Sequence, residues 1–104
     1  MKTIINYNED IVDKDYVLYF YANWMIGNKK MLTILEKLEK EFNINIYNVD
    51  VDSIKELVNK YNIKSIPEII FLKDKKIKKR VNGMSLIGPI RKIFNDIYKN
   101  QKEI

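Results

Sequence analysis

The most informative part of the chain reads YVLYFY at residues 16–21 and continues as ANWMIGNK at residues 22–29. The first segment is apolar or aromatic throughout and lacks the polar alternation of a half-exposed strand. A strand without a polar face is buried on both sides, as the central strands of mostly parallel sheets are. We therefore predict a doubly buried central strand at residues 16–21. Residues 23–29, which contain the first Gly of the chain, are predicted to form a loop.

Four segments carry the signals of helices. They are residues 8–15, 30–42, 54–61 and 88–97. In the last three segments, apolar residues recur at the spacing of an amphipathic helix. The first and shortest is predicted because it begins with the sequence NED, which is a good N-cap cluster.

Four further segments are predicted to be strands, and the last two are separated by a turn signal that makes them a hairpin. They are residues 2–7, 44–49, 68–72 and 77–81. Strands and helices therefore alternate until a hairpin and a helix end the chain. This order predicts an α/β fold with a central mixed five-stranded sheet flanked by four helices. A chain of 104 residues is too short for two cores of normal size, so we expect a single domain, residues 1–104.

The amino-acid composition excludes several kinds of chemistry. The 104 residues include no Cys and no His. Disulfides, thiol nucleophiles, Cys/His zinc sites and imidazole bases are therefore excluded, and we expect no metal site and no cofactor. Because the first residues contain no apolar run typical of a targeting or membrane segment, we expect a cytoplasmic protein without membrane contact.

Four motifs resemble those of the thioredoxin family. The sequence FYANWMIGNK at residues 20–29 is similar to the family's active-site segment, F-W-A-x-W-C-G-P-C-K. KSIP at residues 64–67 resembles the loop that bears the family's cis-proline, and VNG at residues 81–83 resembles its last glycine loop. NVDVD at residues 48–52 matches the third strand and its acidic end. The likeness extends in register over about residues 2–100 and implies the thioredoxin fold.

The departures from the family pattern concern its redox chemistry. Thioredoxins carry two cysteines at a helix N-terminus, where the helix dipole lowers the pKa of the first thiol. The two cysteine positions correspond to Met25 and Asn28 in this chain, and the family's buried aspartate corresponds to Tyr19. Neither Met nor Asn forms a mixed disulfide. The resemblance therefore implies a family member that is not a disulfide oxidoreductase and has no catalytic residues.

The resemblance also implies a substrate-docking surface, in which the segment before the cis-proline pairs with an extended peptide. We call the corresponding residues the apolar groove. They are Trp24, Met25, Ile26, Ile66, Pro67, Gly83 and Met84. Two methionines and a tryptophan make an adaptable apolar patch. We therefore expect the chain to bind a protein or an extended peptide, as a monomer or as part of a hetero-complex.

Several of these positions also have a purely structural interpretation. Trp24 is equally consistent with packing on the loop to support the helix start. Pro67 is consistent with a kink that defines the fold, and Gly83 with a backbone conformation that only glycine adopts easily. Asn28 is expected to cap the helix that follows it.

A basic segment, KDKKIKKR at residues 73–80, has six basic residues in eight. One interpretation is an accessory nucleic-acid or polymerase-associated module that uses this segment as its electrostatic footprint. The other is a charged edge strand that discourages aggregation. We favour the edge strand, because no aromatic residues interleave the lysines and because Lys, Ile and Asn are abundant throughout this chain of net charge +5.

A third hypothesis is non-thiol catalysis, by carboxylates such as Asp50 and Asp52 or by lysines, in the segment that corresponds to the family's active site. No paired-carboxylate or phosphate-binding motif supports it.

Overall fold

The computed structural model describes residues 1–4 and 11–99. Its strands are β1 (Lys2–Thr3), β2 (Tyr16–Tyr21), β3 (Asn45–Asp50), β4 (Glu68–Lys73) and β5 (Lys76–Asn82). Its helices are α1 (Asn28–Phe42), α2 (Lys55–Lys60) and α3 (Ile87–Phe94), and α3 continues into a π-helical turn (Asn95–Lys99).

The five strands form one sheet in the order β1-β3-β2-β4-β5. Strand β2 runs parallel to β3 and antiparallel to β4, while β1 is parallel to β3 and β5 is antiparallel to β4. One half of the sheet is therefore parallel and the other ends in a hairpin. This arrangement confirms the predicted α/β fold with a mixed five-stranded sheet.

Strand β2 supplies side chains to the core on both faces of the sheet. Val17 and Tyr19 pack with residues of α1 and α3 on one face. Leu18 and Phe20 pack with Leu57 of α2 on the other face. All four β2 side chains are inaccessible to solvent. The absence of a polar face in this segment correctly predicted a doubly buried central strand.

The described residues contain three α-helices rather than the four predicted. The prediction of a helix at residues 8–15 is wrong for residues 11–15, which are not helical. The first three residues of that segment lie outside the described part of the chain. The strand predicted at residues 2–7 appears as Lys2–Thr3, and its last three residues also lie outside. None of the described helices is long and apolar enough to cross a membrane.

Two aspartates explain why residues 11–15 are not helical. Asp13 Oδ2 accepts hydrogen bonds from the Tyr47 hydroxyl at 2.6 Å and the Asn45 amide at 3.1 Å. Asp15 Oδ1 accepts one from the backbone N–H of Asp74 at 2.9 Å, in the turn after β4. These bonds hold the segment against the sheet, so long-range hydrogen bonding outweighs the local helix signal.

The turn between β4 and β5 has a left-handed backbone at two successive residues. Asp74 has φ 53° and Lys75 has φ 64°, as is typical of the type I′ turn that suits a hairpin. The N–H of Lys75 donates to the carbonyl of Lys14 at 2.8 Å. The predicted hairpin is therefore present and is anchored to the segment that leads into β2.

Arg80 forms an ion pair with a buried carboxylate on the neighbouring strand. Glu68, at the start of β4, is buried, and its carboxylate pairs with the Arg80 guanidinium on β5. Arg80 Nη2 also donates to the carbonyl of Tyr61, at the end of α2, at 2.7 Å. Arg80 belongs to the basic segment by sequence, but its charge neutralises a carboxylate within the fold.

Replacing Arg80 with Ala should lower the free energy of unfolding by about 2 kcal/mol, because it leaves the buried Glu68 carboxylate without its partner. Urea denaturation followed by circular dichroism measures this change. Lys79→Ala, at the adjacent exposed residue that makes no salt bridge within the described part of the chain, should change the free energy by less than about 0.5 kcal/mol. Equal effects of the two substitutions would contradict a structural role for Arg80.

Candidate functional site

The loop from the end of β2 to the start of α1 is shaped by three backbone hydrogen bonds. The N–H of Met25 donates to the carbonyl of Ala22, and the N–H of Asn28 donates to that of Met25. The N–H of Met31 then donates to the carbonyl of Gly27 and begins the regular pattern of α1. Gly27 itself has φ +87°, a left-handed conformation that glycine adopts without strain. The loop therefore presents residues 23–26 above the end of the sheet.

Asn28 contacts the side chain of Tyr19. The Tyr19 hydroxyl donates to Asn28 Oδ1 at 2.8 Å. Asn28 is the first residue of α1, Gly27 is its N-cap, and no side chain caps the helix. The prediction that Asn28 caps the helix is therefore wrong, because its side chain points to the buried tyrosine.

The Tyr19 hydroxyl is a neutral donor in an apolar setting. The side chain is buried and stacks on Tyr21, with ring centroids 5.5 Å apart and planes 5° from parallel. Burial raises the pKa of the Tyr19 hydroxyl, and the neighbouring Tyr21 adds to the shift. Tyr19 therefore stays protonated at neutral pH. A hydroxyl–amide pair lies where the thioredoxin resemblance implied a carboxylate beside a thiol.

Three separate segments meet at the apolar groove. The N–H of Gly83 donates to the carbonyl of Pro67 at 2.8 Å, which joins the glycine loop to the proline loop. The Met84 methyl group lies over Gly27, so closely that a β-carbon on Gly27 would collide with it. The Ile66–Pro67 peptide bond is cis. The structure thus brings together the loop before α1, the proline loop and the segment after β5.

The side chains of the apolar groove differ in exposure. Trp24 is 72% exposed, Ile26 94% and Met84 49%. Met25 and Ile66 are half-buried, while the Pro67 side chain is buried. Pro67 therefore shapes the surface through its backbone. Gly83 has φ +96° with open space around it, which agrees with the backbone interpretation of this glycine.

Leu86 extends the exposed apolar surface and was not among the predicted groove residues. It is 69% exposed and lies two residues after Met84. The sequence did contain a signal, since Leu86 is an apolar residue between the glycine loop and Gly88-Pro89.

Asp50 and Asp52 hold the loop that carries Trp24. Trp24 Nε1 donates to Asp52 Oδ2 at 3.2 Å, and the N–H of Asp52 donates to Asp50 Oδ1 at 2.9 Å. Asn23 Nδ2 lies 3.3 Å from Asp50 Oδ2. The acidic end of β3 therefore organises this edge of the groove.

Two shallow depressions flank the centre of the groove. One, of about 260 Å³, has an apolar lining that includes Trp24 and Ile66, and Lys64 lies at it. The other, of about 310 Å³, lies between the start of α1 and residues 84–86 and includes Lys30. Each depression thus combines apolar side chains with at least one lysine. Within residues 1–4 and 11–99 no group of three or more acidic side chains could hold a metal ion.

The basic segment follows the hairpin, and its Arg80 end lies next to this site, because Arg80 pairs with Glu68, the residue after Pro67. It spans the end of β4, the turn and most of β5, and β5 is at the edge of the sheet. The side chains from Asp74 to Arg80 are exposed. Its position agrees with the interpretation of a charged edge strand.

Three features together define a thioredoxin-type fold. They are the order of the strands, the helix that starts just beyond the central strand, and the hydrogen bond between the glycine loop and the proline loop. The family model described as Thioredoxin matches residues 2–96. The chain belongs to the thioredoxin family. Since it contains no cysteine, it has no Cys-x-x-Cys motif and cannot perform the dithiol–disulfide exchange that this motif supports.

Comparison with known proteins gives the same result. The chain is 38% identical over 82 residues to thioredoxin 2 of Plasmodium falciparum, covering 73% of this chain and 52% of the relative. It is 36% identical over 81 residues to a thioredoxin of Chlamydia trachomatis, covering 76% and 78%. The chain spans about half the length of the Plasmodium relatives it matches.

A solved structure supports the fold. A mutant thioredoxin from Halobacterium salinarum matches with a TM-score of 0.78, covering 83% of this chain and 76% of that one. At 17% sequence identity, this likeness concerns the fold alone.

Tyr19→Phe should lower the free energy of unfolding by about 1 kcal/mol, because it removes the donor to Asn28. A double-mutant cycle with Asn28→Ala, measured by urea denaturation, should give a coupling energy of about 1 kcal/mol. Tyr21→Phe, in the stacked neighbouring ring, is the matched control and should be close to neutral. A coupling energy of zero would show that the hydroxyl–amide contact does not stabilise the loop.

Proposed function

We propose that this chain is a redox-inactive member of the thioredoxin family that binds an extended segment of another protein in the apolar groove. The observation that carries the proposal is the exposure of Trp24, Ile26 and Met84 in a family member without thiols. Clustered exposed apolar side chains are costly for solubility and commonly mark interaction sites. A binding role accounts for these exposed apolar side chains, whereas thiol catalysis cannot, because the chain has no thiol.

The backbone beside these side chains supports an extended ligand. Within the described residues, neither the N–H nor the carbonyl of Ile66 makes a hydrogen bond. Unpaired backbone groups beside apolar pockets are the elements of strand addition, in which main-chain bonds give affinity and pockets give specificity. Two methionines beside this edge adapt to different side chains because their thioether chains are flexible.

A non-catalytic role is part of the proposal. Tyr19 and Asn28 hydrogen-bond each other where the resemblance implied a carboxylate and a thiol. Asp50 and Asp52 accept hydrogen bonds from the loop that they support. These side chains serve the loop rather than a reaction.

Nucleic-acid binding through the basic segment is the second candidate function. The exposed lysines on β5 favour it, because phosphate contacts dominate such binding. Arg80 argues against it, since its guanidinium is engaged by Glu68 and Tyr61. We therefore retain peptide binding as the leading proposal.

Ile26→Asp should abolish binding of peptides selected against this chain from a random displayed library. The substitution places a charge in the apolar groove, and the 94% exposure of Ile26 leaves the core intact. Fluorescence anisotropy of labelled peptides measures the affinity. The matched control is Ile77→Asp, at another exposed isoleucine, on β5. Peptides that bind both variants as well as the parent chain would refute binding in the groove.

The parent chain should show no activity in an insulin-reduction assay, because it has no thiol. The double variant Met25→Cys/Asn28→Cys should gain measurable activity, since the loop and helix start match the family arrangement. Single cysteine variants are the matched controls. Activity of the parent chain, or a double variant that folds but forms no disulfide detectable by mass spectrometry, would contradict the assignment of these two positions.

A further inference from the structure

We propose that the ligand of the apolar groove is an extended protein segment in which apolar residues are flanked by acidic ones. This inference rests on the proposed function and specifies the chemistry of the partner. The feature behind it is a set of lysines at the two depressions. Lys30 lies at one depression, and Lys55 and Lys64 lie at the other.

Two of the three lysines at the rim are not paired by the fold. Among the described residues, Lys30 and Lys64 take part in no salt bridge, whereas Lys55 forms one with Asp52 at 3.9 Å. Asp50 and Asp52 also accept hydrogen bonds from the loop and its neighbouring backbone. Lys30 on one side of the groove and Lys64 on the other therefore remain available to a ligand.

Helix α1 adds to this positive charge. Its first turn contains no acidic residue, and no side chain caps its N-terminus. The partial positive charge of a helix N-terminus is therefore uncompensated there. It lies beside Lys30, at the depression that residues 84–86 complete.

The shape of the groove favours a peptide over other anions. The depression beside Trp24 is lined by Val51, Val58, Ile63 and Ile66, with Lys55, Lys64 and Ser65 beside them. The apolar part of this lining takes aliphatic side chains, which a phosphate backbone does not supply. A ligand that fills both depressions with apolar residues brings its flanking residues to the lysines, where acidic side chains are attracted and basic ones repelled.

Three synthetic peptides test the inference. They share the apolar centre of a library-selected peptide and carry Glu, Gln or Lys on both sides. Fluorescence anisotropy at low salt should show that the Glu-flanked peptide binds roughly three- to tenfold more tightly than the Gln-flanked one, and the Lys-flanked peptide most weakly. This preference should shrink as salt screens the exposed charges.

Lys30→Gln/Lys64→Gln should remove the preference for Glu while binding of the Gln-flanked peptide persists. Lys78→Gln/Lys79→Gln, with the same change in net charge on β5, is the matched control and should keep the preference. Equal affinities for all three peptides, or loss of the preference in the control variant, would overturn the inference and leave the groove as a binding site. Failure of every peptide to bind the parent chain would instead refute the proposed function.

Discussion

Burial of β2 on both faces is the constraint on which the rest of the structure depends. Its side chains enter the core on both sides of the sheet, so β3 and β4 must pair with its two edges. The loop before α1 follows directly from the carboxyl end of β2. The end of β3 brings Asp52 to Trp24, and the start of β4 brings Pro67 to the same edge. The groove is thus a consequence of how the central strand is packed.

The Tyr19–Asn28 contact shows how this fold packs without the buried aspartate and the second cysteine of the family pattern. In the family pattern the two positions belong to a carboxylate and a thiol, whose charged forms are costly to bury. Here a neutral hydroxyl donates to an amide oxygen at 2.8 Å. Both groups gain a partner without burying a charge. The contact links the central strand to α1, while Trp24 and Ile26 are left exposed.

Patterns that depend on burial were predictable from the sequence, whereas side-chain partners were not. The absence of a polar face identified β2, and the motif spacing identified the groove segments. N-capping depends on local sequence, so the sequence predicts a capping role for Asn28. Its side chain instead accepts a hydrogen bond from Tyr19 on β2, a contact that the local sequence does not indicate. In the sequence, Arg80 is one of six basic residues in the basic segment. In the structure, it pairs across the hairpin with Glu68. Long-range contacts through Asp13 likewise outweighed the helix signal before β2.

A heteronuclear NMR titration of the labelled chain with a library-selected peptide separates groove binding from every other mode. Saturable changes in amide chemical shift should concentrate at residues 24–28, 65–67 and 82–86, which form the groove and its continuation to Leu86. Changes concentrated at residues 73–80, or scattered over the sheet without saturation, would contradict the claim that the groove has kept a binding role after losing its thiols.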